Sequence, residues 1–346
     1  MKSLFAKCII ILFIPVFFSC AAINEVLNGI PDVFGGKPER VKYKMKYPIS
    51  DSVRFSALWI GHASVLLQIE DKVILIDPVF DDVIGELMLR KVEAGLDIKN
   101  IPKLDMILIS HAHMDHLSLT SLRELDTRFP DAALVYPYGV EEYLQHYNMQ
   151  TYSMRTGNSA EDFYFGETME IKDVKVTTVF ADHSGGRFYV DQYTGYGFTG
   201  YMIEYKDITV FFAGDTEYNR EAYKALGNRF TVDLALIPIG PCADCEKINF
   251  GNHVATFGAL LIFDDIKAKY MIPVHYGSSV YGSNTDQPAV TLKKLIEKYT
   301  THNVYGEKVL IPYKDKIKIL DEGEQVVFEY KKDTTGIPLQ TINENE

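Results

Sequence analysis

Residues 104–117 read L-D-M-I-L-I-S-H-A-H-M-D-H-L. The apolar run 106–109 is short enough for a buried strand, and Ser110 ends it. His111, His113, Asp115 and His116 follow, four candidate metal ligands within six residues. His111 and His113 are two apart, so on extended backbone they face the same way. Asp115 and His116 then require the chain to turn and close around a second point. A strand end that becomes a loop does both. One ion is an awkward fit for four such groups. Two adjacent zinc ions are the economical reading, because imidazole and carboxylate are normal zinc donors; iron or manganese can occupy such a set. The alternative is a polar loop that happens to be His-rich, but the chain has only nine His and three of them stand here beside an Asp.

Working outward, the same arrangement recurs. Residues 53–60, 64–69 and 72–76 read as strands in quick succession, an antiparallel start, closed by Asp77-Pro78. Residues 82–94 read as a helix capped by Gly95, 119–129 and 140–147 as further helices, and 134–136 as a strand. A β-branched strand over 175–180 leads to His183. The hairpin 198–205/209–213 leads to Asp215, and strand 270–274 leads directly to His275. Strand 234–239 and helices over 219–226, 253–263 and 289–299 fill the remainder, with strands at 308–313, 316–320 and 325–330. In layered α/β proteins, ligands collect along one edge of strand ends. Seven donors result. One ion can take His111, His113 and His183, the other Asp115, His116 and His275, with the two oxygens of Asp215 available to bridge.

The ordered landmarks H-A-H-M-D-H, then His183, Asp215 in F-F-A-G-D-T and His275 in I-P-V-H-Y-G resemble the metallo-β-lactamase superfamily over about residues 53–320. Within it, W-I-G-H-A-S-V-L-L-Q with I-L-I-D-P-V-F looks like one particular branch. That branch holds the phospholipase D acting on N-acylphosphatidylethanolamine and the L-ascorbate-6-phosphate lactonase. The motif D-L-A-L-I-P-I-G and the His253 segment before I-P-V-H-Y-G point the same way. The resemblance implies an α/β fold, an αββα sandwich of two mixed sheets flanked by helices, with a dimetal site at one edge. It also implies that Asp77 orients a metal-bound His from behind, and that His253 acts on substrate oxygens as an acid or oxyanion donor. His62 in G-H-A-S either reaches the site or is a hydrogen-bonded structural His. Arg187, four after His183, either holds a substrate phosphate or is a solvated surface Arg. Tyr276 reads as packing.

Composition bounds the rest. At 346 residues, 47% hydrophobic and 24% charged, the chain has ample core, and no linker interrupts residues 53–330, which read as one domain. A formal charge of −12 argues against a nucleic-acid surface, which needs a basic face. It leaves an anionic substrate open, since bound metals dominate the local field. Lys2 and Lys7 flank an apolar run, 8–18, far short of the ~20 residues that span a membrane, so residues 1–19 read as a secretory leader. Its end, F-F-S-C-A-A, resembles a bacterial lipoprotein cleavage site with Cys20 lipidated. This implies a membrane-anchored protein of the cell envelope facing away from the cytoplasm; cleavage by an ordinary signal peptidase would instead give a soluble periplasmic one. Residues 20–52 read as a tether and N-terminal arm, and 331–346 as a polar tail. The lone C-x-x-C at Cys242 and Cys245 lacks the second pair of a structural zinc site; outside the cytoplasm it is either a local disulfide or two thiols.

Two zinc ions sharing a water lower its pKa from 15.7 to about 7 and supply hydroxide at neutral pH. That kit suits phosphodiester, lactone, thioester or β-lactam hydrolysis. The β-lactam-cleaving members place other residues where Asp215 sits, and the RNA-cleaving members carry appendages or basic surfaces not found here. The expectation is a zinc-dependent phosphodiesterase on a lipid or small phosphoester, in which Asp115, Asp215 and His253 carry the chemistry. A sugar-lactone hydrolase is the rival, and a metal-binding lipoprotein without turnover the non-enzyme alternative. The stretch P-C-A-D-C-E-K departs from the phospholipase relatives, which have an aromatic-containing segment there, so substrate identity stays open.

Overall fold

The structure is a computed structural model that describes residues 36–84, 88–157, 164–187, 191, 194–278 and 285–330. The leader, Cys20, the tether as far as residue 35 and the tail 331–346 lie outside the described residues. Two mixed sheets carry the chain. The first has seven strands, numbered here in chain order: β1 (Val53–Gly61), β2 (Ser64–Ile69), β3 (Lys72–Ile76), β4 (Met106–Leu108), β5 (Ala133–Pro137), β6 (Gln150–Met154) and, last in the chain, β13 (Gln325–Tyr330). Their order across the sheet is β13-β1-β2-β3-β4-β5-β6. The first three junctions are antiparallel and the last three parallel.

The second sheet comprises β7 (Phe165–Ile171), β8 (Val174–Val179), β9 (Gly200–Tyr205), β10 (Ile208–Phe212), β11 (Leu234–Pro238) and β12 (Tyr270–Val274). They are ordered β12-β11-β10-β9-β8-β7.

Residues of the inner strands are buried on both faces, so alternation there sorts them between layers rather than between core and water. On β1, Phe55, Ala57 and Trp59 join the core shared with the second sheet, while Leu58 and Ile60 join a separate cluster with Leu122 and Leu125. Those two leucines belong to α1 (Leu119–Arg128), whose N-terminus Ser118 caps by accepting from the amide of Ser121 at 3.0 Å. Helices α2 (Arg220–Arg229), α3 (Thr256–Ile266) and α4 (Gln287–Lys298) contribute Leu226, Leu260 and Leu292 to the core that holds the second sheet. The result is the expected αββα sandwich. The buried Tyr201 hydroxyl of β9 donates to the Ile109 carbonyl at 2.8 Å, joining the two layers beside the metal-ligand loop. No helix among the described residues is long and apolar enough to cross a membrane.

Several local expectations need correction. Residues 82–94 are not a helix: Val83–Ile84 pairs with Met88–Leu89. Beyond them the backbone is taken up from outside, by Lys91 N–H donating to Ser278 O at 2.9 Å and Gly95 N–H to Ile60 O at 2.8 Å. The segment 140–147 keeps only a short 3-10 helix, Val140–Tyr143. The helix expected from residue 253 starts at Thr256, and His253 sits instead in a two-residue strand, His253–Val254, paired with Asn249–Phe250 around Gly251-Asn252. Strands at 308–313 and 316–320 are replaced by a helical turn, Tyr313–Lys316, which Tyr313 pins by donating to Asp264 at 2.6 Å. Strands β6 and β7 lie in stretches for which the sequence raises no expectation.

Candidate metal centre

Every candidate ligand follows a strand that points to one edge of the sandwich. His62 follows β1, Asp77 follows β3 and His111 follows β4. From the second sheet, His183 follows β8, Asp215 follows β10 and His275 follows β12. The backbone at these points is unusual: His62, Asp77 and His275 have φ of 55°, 40° and 62°. Non-glycine residues rarely adopt this left-handed region, and packing must impose it. Gly214, at φ +61°, brings Asp215 in. A Cβ there would lie 2.7 Å from the Thr199 carbonyl and 3.2 Å from Ser110 Cβ.

The seven donors converge in two overlapping sets around Asp215. His111 Nε2 and His183 Nε2 lie 2.8 and 3.2 Å from His113 Nδ1, and both are within 4.0 Å of Asp215 Oδ2. On the other side, His116 Nε2 and His275 Nε2 lie 3.3 and 3.1 Å from Asp215 Oδ2, and 3.7 and 3.3 Å from Asp115 Oδ2. Donors at zinc bond lengths on a tetrahedron are about 3.3 Å apart, so both sets have the spacing an ion needs.

A second observation supports the fit. His116 Nε2, His275 Nε2 and Asp215 Oδ1 are buried without a hydrogen-bond partner among the described residues. The two imidazole nitrogens are within ion-pair distance of carboxylates yet not aligned to donate to them, the arrangement of atoms aimed at a common centre. Unsatisfied buried polar atoms are costly, and cations held here would supply partners for them.

The outer nitrogens are fixed from behind. His116 Nδ1–H donates to Asp77 Oδ2 at 2.7 Å, His183 Nδ1–H to Asn252 O at 3.0 Å and His275 Nδ1–H to Gly240 O at 2.8 Å. His111 Nδ1 meets Ser110 Oγ at 2.9 Å, and Ser110 Oγ in turn donates to Asp77 Oδ2 at 2.6 Å. Such partners set the tautomer and turn the Nε2 lone pairs inward. Ser110 and the carbonyls of Gly240 and Asn252 were not anticipated. Backbone acceptors leave no mark in sequence, though the Gly251-Asn252 pair is a turn signal.

Burial holds the first set neutral: it pushes His111 well below its usual pKa and His183 down to about 3. In the second set burial opposes charging but is overcome. The Asp215 and Asp115 carboxylates raise His116 well above its usual value and His275 to about 9, while Asp115 and Asp215 are held well below theirs, chiefly by His116.

The remaining candidates find different places. His62 Nε2 is 2.8 Å from Asp115 Oδ2 and lies within ligand distance of Asp115, His116 and His275; burial lowers its pKa to about 4. Its carbonyl accepts from the Trp59 indole at 2.8 Å and the His275 amide at 3.0 Å. Tyr276 stacks on Trp59 at 4.7 Å, a packing contact. His253 Nε2 is 3.2 Å from Asp215 Oδ2, its side chain 20% exposed at the mouth. Arg187 turns inward: Nη1 donates to the carbonyls of Ala112 and Leu117 at 3.0 and 2.8 Å, bracing both ends of the H-M-D-H turn. Cys242 and Cys245 form a disulfide.

A mixed sandwich with clustered His and Asp at one strand-end edge defines a metal-binding α/β hydrolase class. Residues 72–276 match the profile of the beta-lactamase superfamily domain, and the chain belongs to the metallo-β-lactamase superfamily, as a metal-dependent hydrolase. It is 25% identical over 252 residues to the N-acyl-phosphatidylethanolamine-hydrolyzing phospholipase D 1 of Caenorhabditis elegans, covering 70% of this chain and 69% of that protein. It is 31% identical over 224 residues to a metal-dependent hydrolase of Bacillus cereus, covering 63% and 84% respectively. Among solved structures, a metallo hydrolase of Ignicoccus hospitalis shares the fold, with TM-score 0.54 and 21% identity over 80% of this chain and 99% of that one.

Proposed function

We propose that the protein is a zinc-dependent phosphodiesterase that uses two ions and acts on a lipid or small phosphoester at a membrane of the cell envelope. The observation that carries this reading is Asp215 Oδ2, which lies within 4.0 Å of His111, His116, His183 and His275 at once. His111, His113 and His183 would hold one ion and Asp115, His116 and His275 the other, with Asp215 shared. When bound, the pair supplies Lewis acidity and a water that ionises near neutral pH. The likeness to a phospholipase D, the G-H-A-S and I-D-P-V-F motifs that resemble that branch and the leader expected over residues 1–19 before Cys20 support a phosphoester in or near lipid.

Hydrolysis adds water across the P–O bond, its hydroxyl to phosphorus and its proton to the departing oxygen. His253, at the mouth and beside Asp215, holds a proton at Nε2 for that oxygen. His62 steadies Asp115, and Asp77 fixes the His116 ring. Arg187 keeps the H-M-D-H turn rigid from the far side.

The test is turnover of bis(p-nitrophenyl) phosphate and of a small lactone panel by metal-loaded protein. Phosphodiester cleavage that Asp115→Ala and Asp215→Ala each abolish is the expected result. Lactone cleavage alone would move the assignment to a lactonase, and two bound metals with neither activity would leave a metal-binding lipoprotein.

A further inference from the structure

The N-terminal arm has a composition unlike the rest of the chain. Between Lys37 and Tyr47 stand five basic residues and one acid, a local charge of +4 in a protein whose total is −12. Aromatic and basic residues interleave there as K-Y-K-M-K-Y. Its inward contacts are few and specific. The Met45 amide donates to Gly95 O at 2.9 Å, and Lys44 reaches Glu93 at 3.0 Å and Asp97 at 2.8 Å. The others point to water. Lys37, Lys42 and Lys46 are exposed and make no ion pair among the described residues, and Tyr47 is 85% exposed. Arg40 makes one loose contact with Glu93 at 3.9 Å and is 91% exposed. Apolar burial does not explain Tyr47, nor does pairing explain the lysines.

The arm's position makes the composition meaningful. Gly95, which Met45 holds, donates to Ile60 at 2.8 Å, two residues before His62. Glu39 N–H donates to Lys91 O at 2.8 Å, and Lys91 N–H to Ser278 O, three residues beyond His275. The Glu39 end of the arm therefore lies towards the metal-centre edge, and the chain then runs back beside β1, where the Pro48 carbonyl accepts from Gln325, the partner of Leu58, at 2.8 Å.

We propose that residues 37–47 form an interfacial strip that lies on an anionic phospholipid surface and turns the mouth of the metal centre toward it. Lysines near such a surface are attracted over about a Debye length, and tyrosine rings settle at headgroup level. Fifteen residues, 21–35, separate Cys20 from the first described residue, a tether short enough to keep the strip close to its membrane. Three exposed lysines, one of them stacked over the neighbouring Tyr43 ring at 5.0 Å, correspond to roughly a hundredfold in surface partitioning. The remaining surface, net acidic, is repelled, so one orientation is favoured. This inference rests on the tethered reading given above.

The full chain, expressed with its leader and recovered from membranes, is reconstituted in phosphatidylcholine vesicles with or without phosphatidylglycerol. Amide exchange of residues 36–47 is then followed by mass spectrometry. Exchange is expected to slow several-fold only with phosphatidylglycerol. The slowing should vanish at about 0.5 M salt and in a Lys37→Glu/Lys42→Glu/Lys46→Glu variant that still cleaves bis(p-nitrophenyl) phosphate at the wild-type rate. Retention on vesicles with equal exchange in both lipids overturns the strip and leaves the tether. Equal slowing in the triple variant overturns its electrostatic basis. Loss of the chain from both vesicles overturns the tether and the strip together.

Discussion

Asp77 Oδ2 accepts from His116 Nδ1 at 2.7 Å, and neither side chain has any exposure to solvent. The same carboxylate accepts from the Ser110 amide and hydroxyl at 2.7 and 2.6 Å. Asp77→Ala strands these buried donors, at a cost of about 1–3 kcal/mol each before relaxation, and frees the His116 ring. Metal affinity should fall about 10–100-fold, as read by chelator competition. Unchanged affinity in a folded variant would remove Asp77 from the centre.

Removing metal should destabilise the whole domain. Ligand binding to the folded state alone adds about 4 kcal/mol at a thousandfold excess over Kd, so chelation should lower Tm by on the order of 10 °C, with recovery on adding zinc. Calorimetry before and after verified metal stripping checks this; an identical Tm would mean the buried donors need no cation.

Arg187→Met separates two roles. If the guanidinium braces Ala112 and Leu117, kcat and metal affinity drop while KM for a phosphodiester hardly moves. A raised KM with normal metal content would instead make Arg187 a substrate ligand. Steady-state kinetics with metal analysis reads both.

Asp264 gives a pH signature far from the centre. Burial raises its carboxyl to about 6, against the hydrogen bond from Tyr313. The folded protein thus binds a proton the unfolded chain has released, and stability attributable to this group is lost as pH rises from about 4 to about 6. Relative to Asp264→Asn, wild type should lose on the order of 2 kcal/mol across that window. Urea titrations at several pH values measure it, and a flat difference would contradict the assignment.

Where sequence sufficed, one physical signal was unopposed. Runs such as 106–109 and 270–274 are apolar throughout because both faces of their strands are buried, and His111 and His275 come where the strand must stop. The seven clustered donors were legible for that reason, while the sandwich was implied by the family resemblance that those motifs carry. Residues 82–94 misled because the apolar pairs at 83–84 and 88–89 suit either a helix turn or two strand arms, and the partners that hold the segment's end, Ile60 and Ser278, are distant in sequence. His253 was misplaced because the apolar helix that follows masks the Gly251-Asn252 turn. Arg187 could not be read at all, since its partners are carbonyls.

One consequence follows from Asp215 standing between ligands of both layers. His113 and His183 are 70 residues apart along the chain, yet one cation would bind both, pinning a loop from the first sheet to one from the second. Such a cross-link works as a reversible rivet, closed only while the folded chain holds its ligands together. With it in place, β4 and β8 should open as one cooperative unit. Once it is withdrawn, each layer is free to fray on its own schedule.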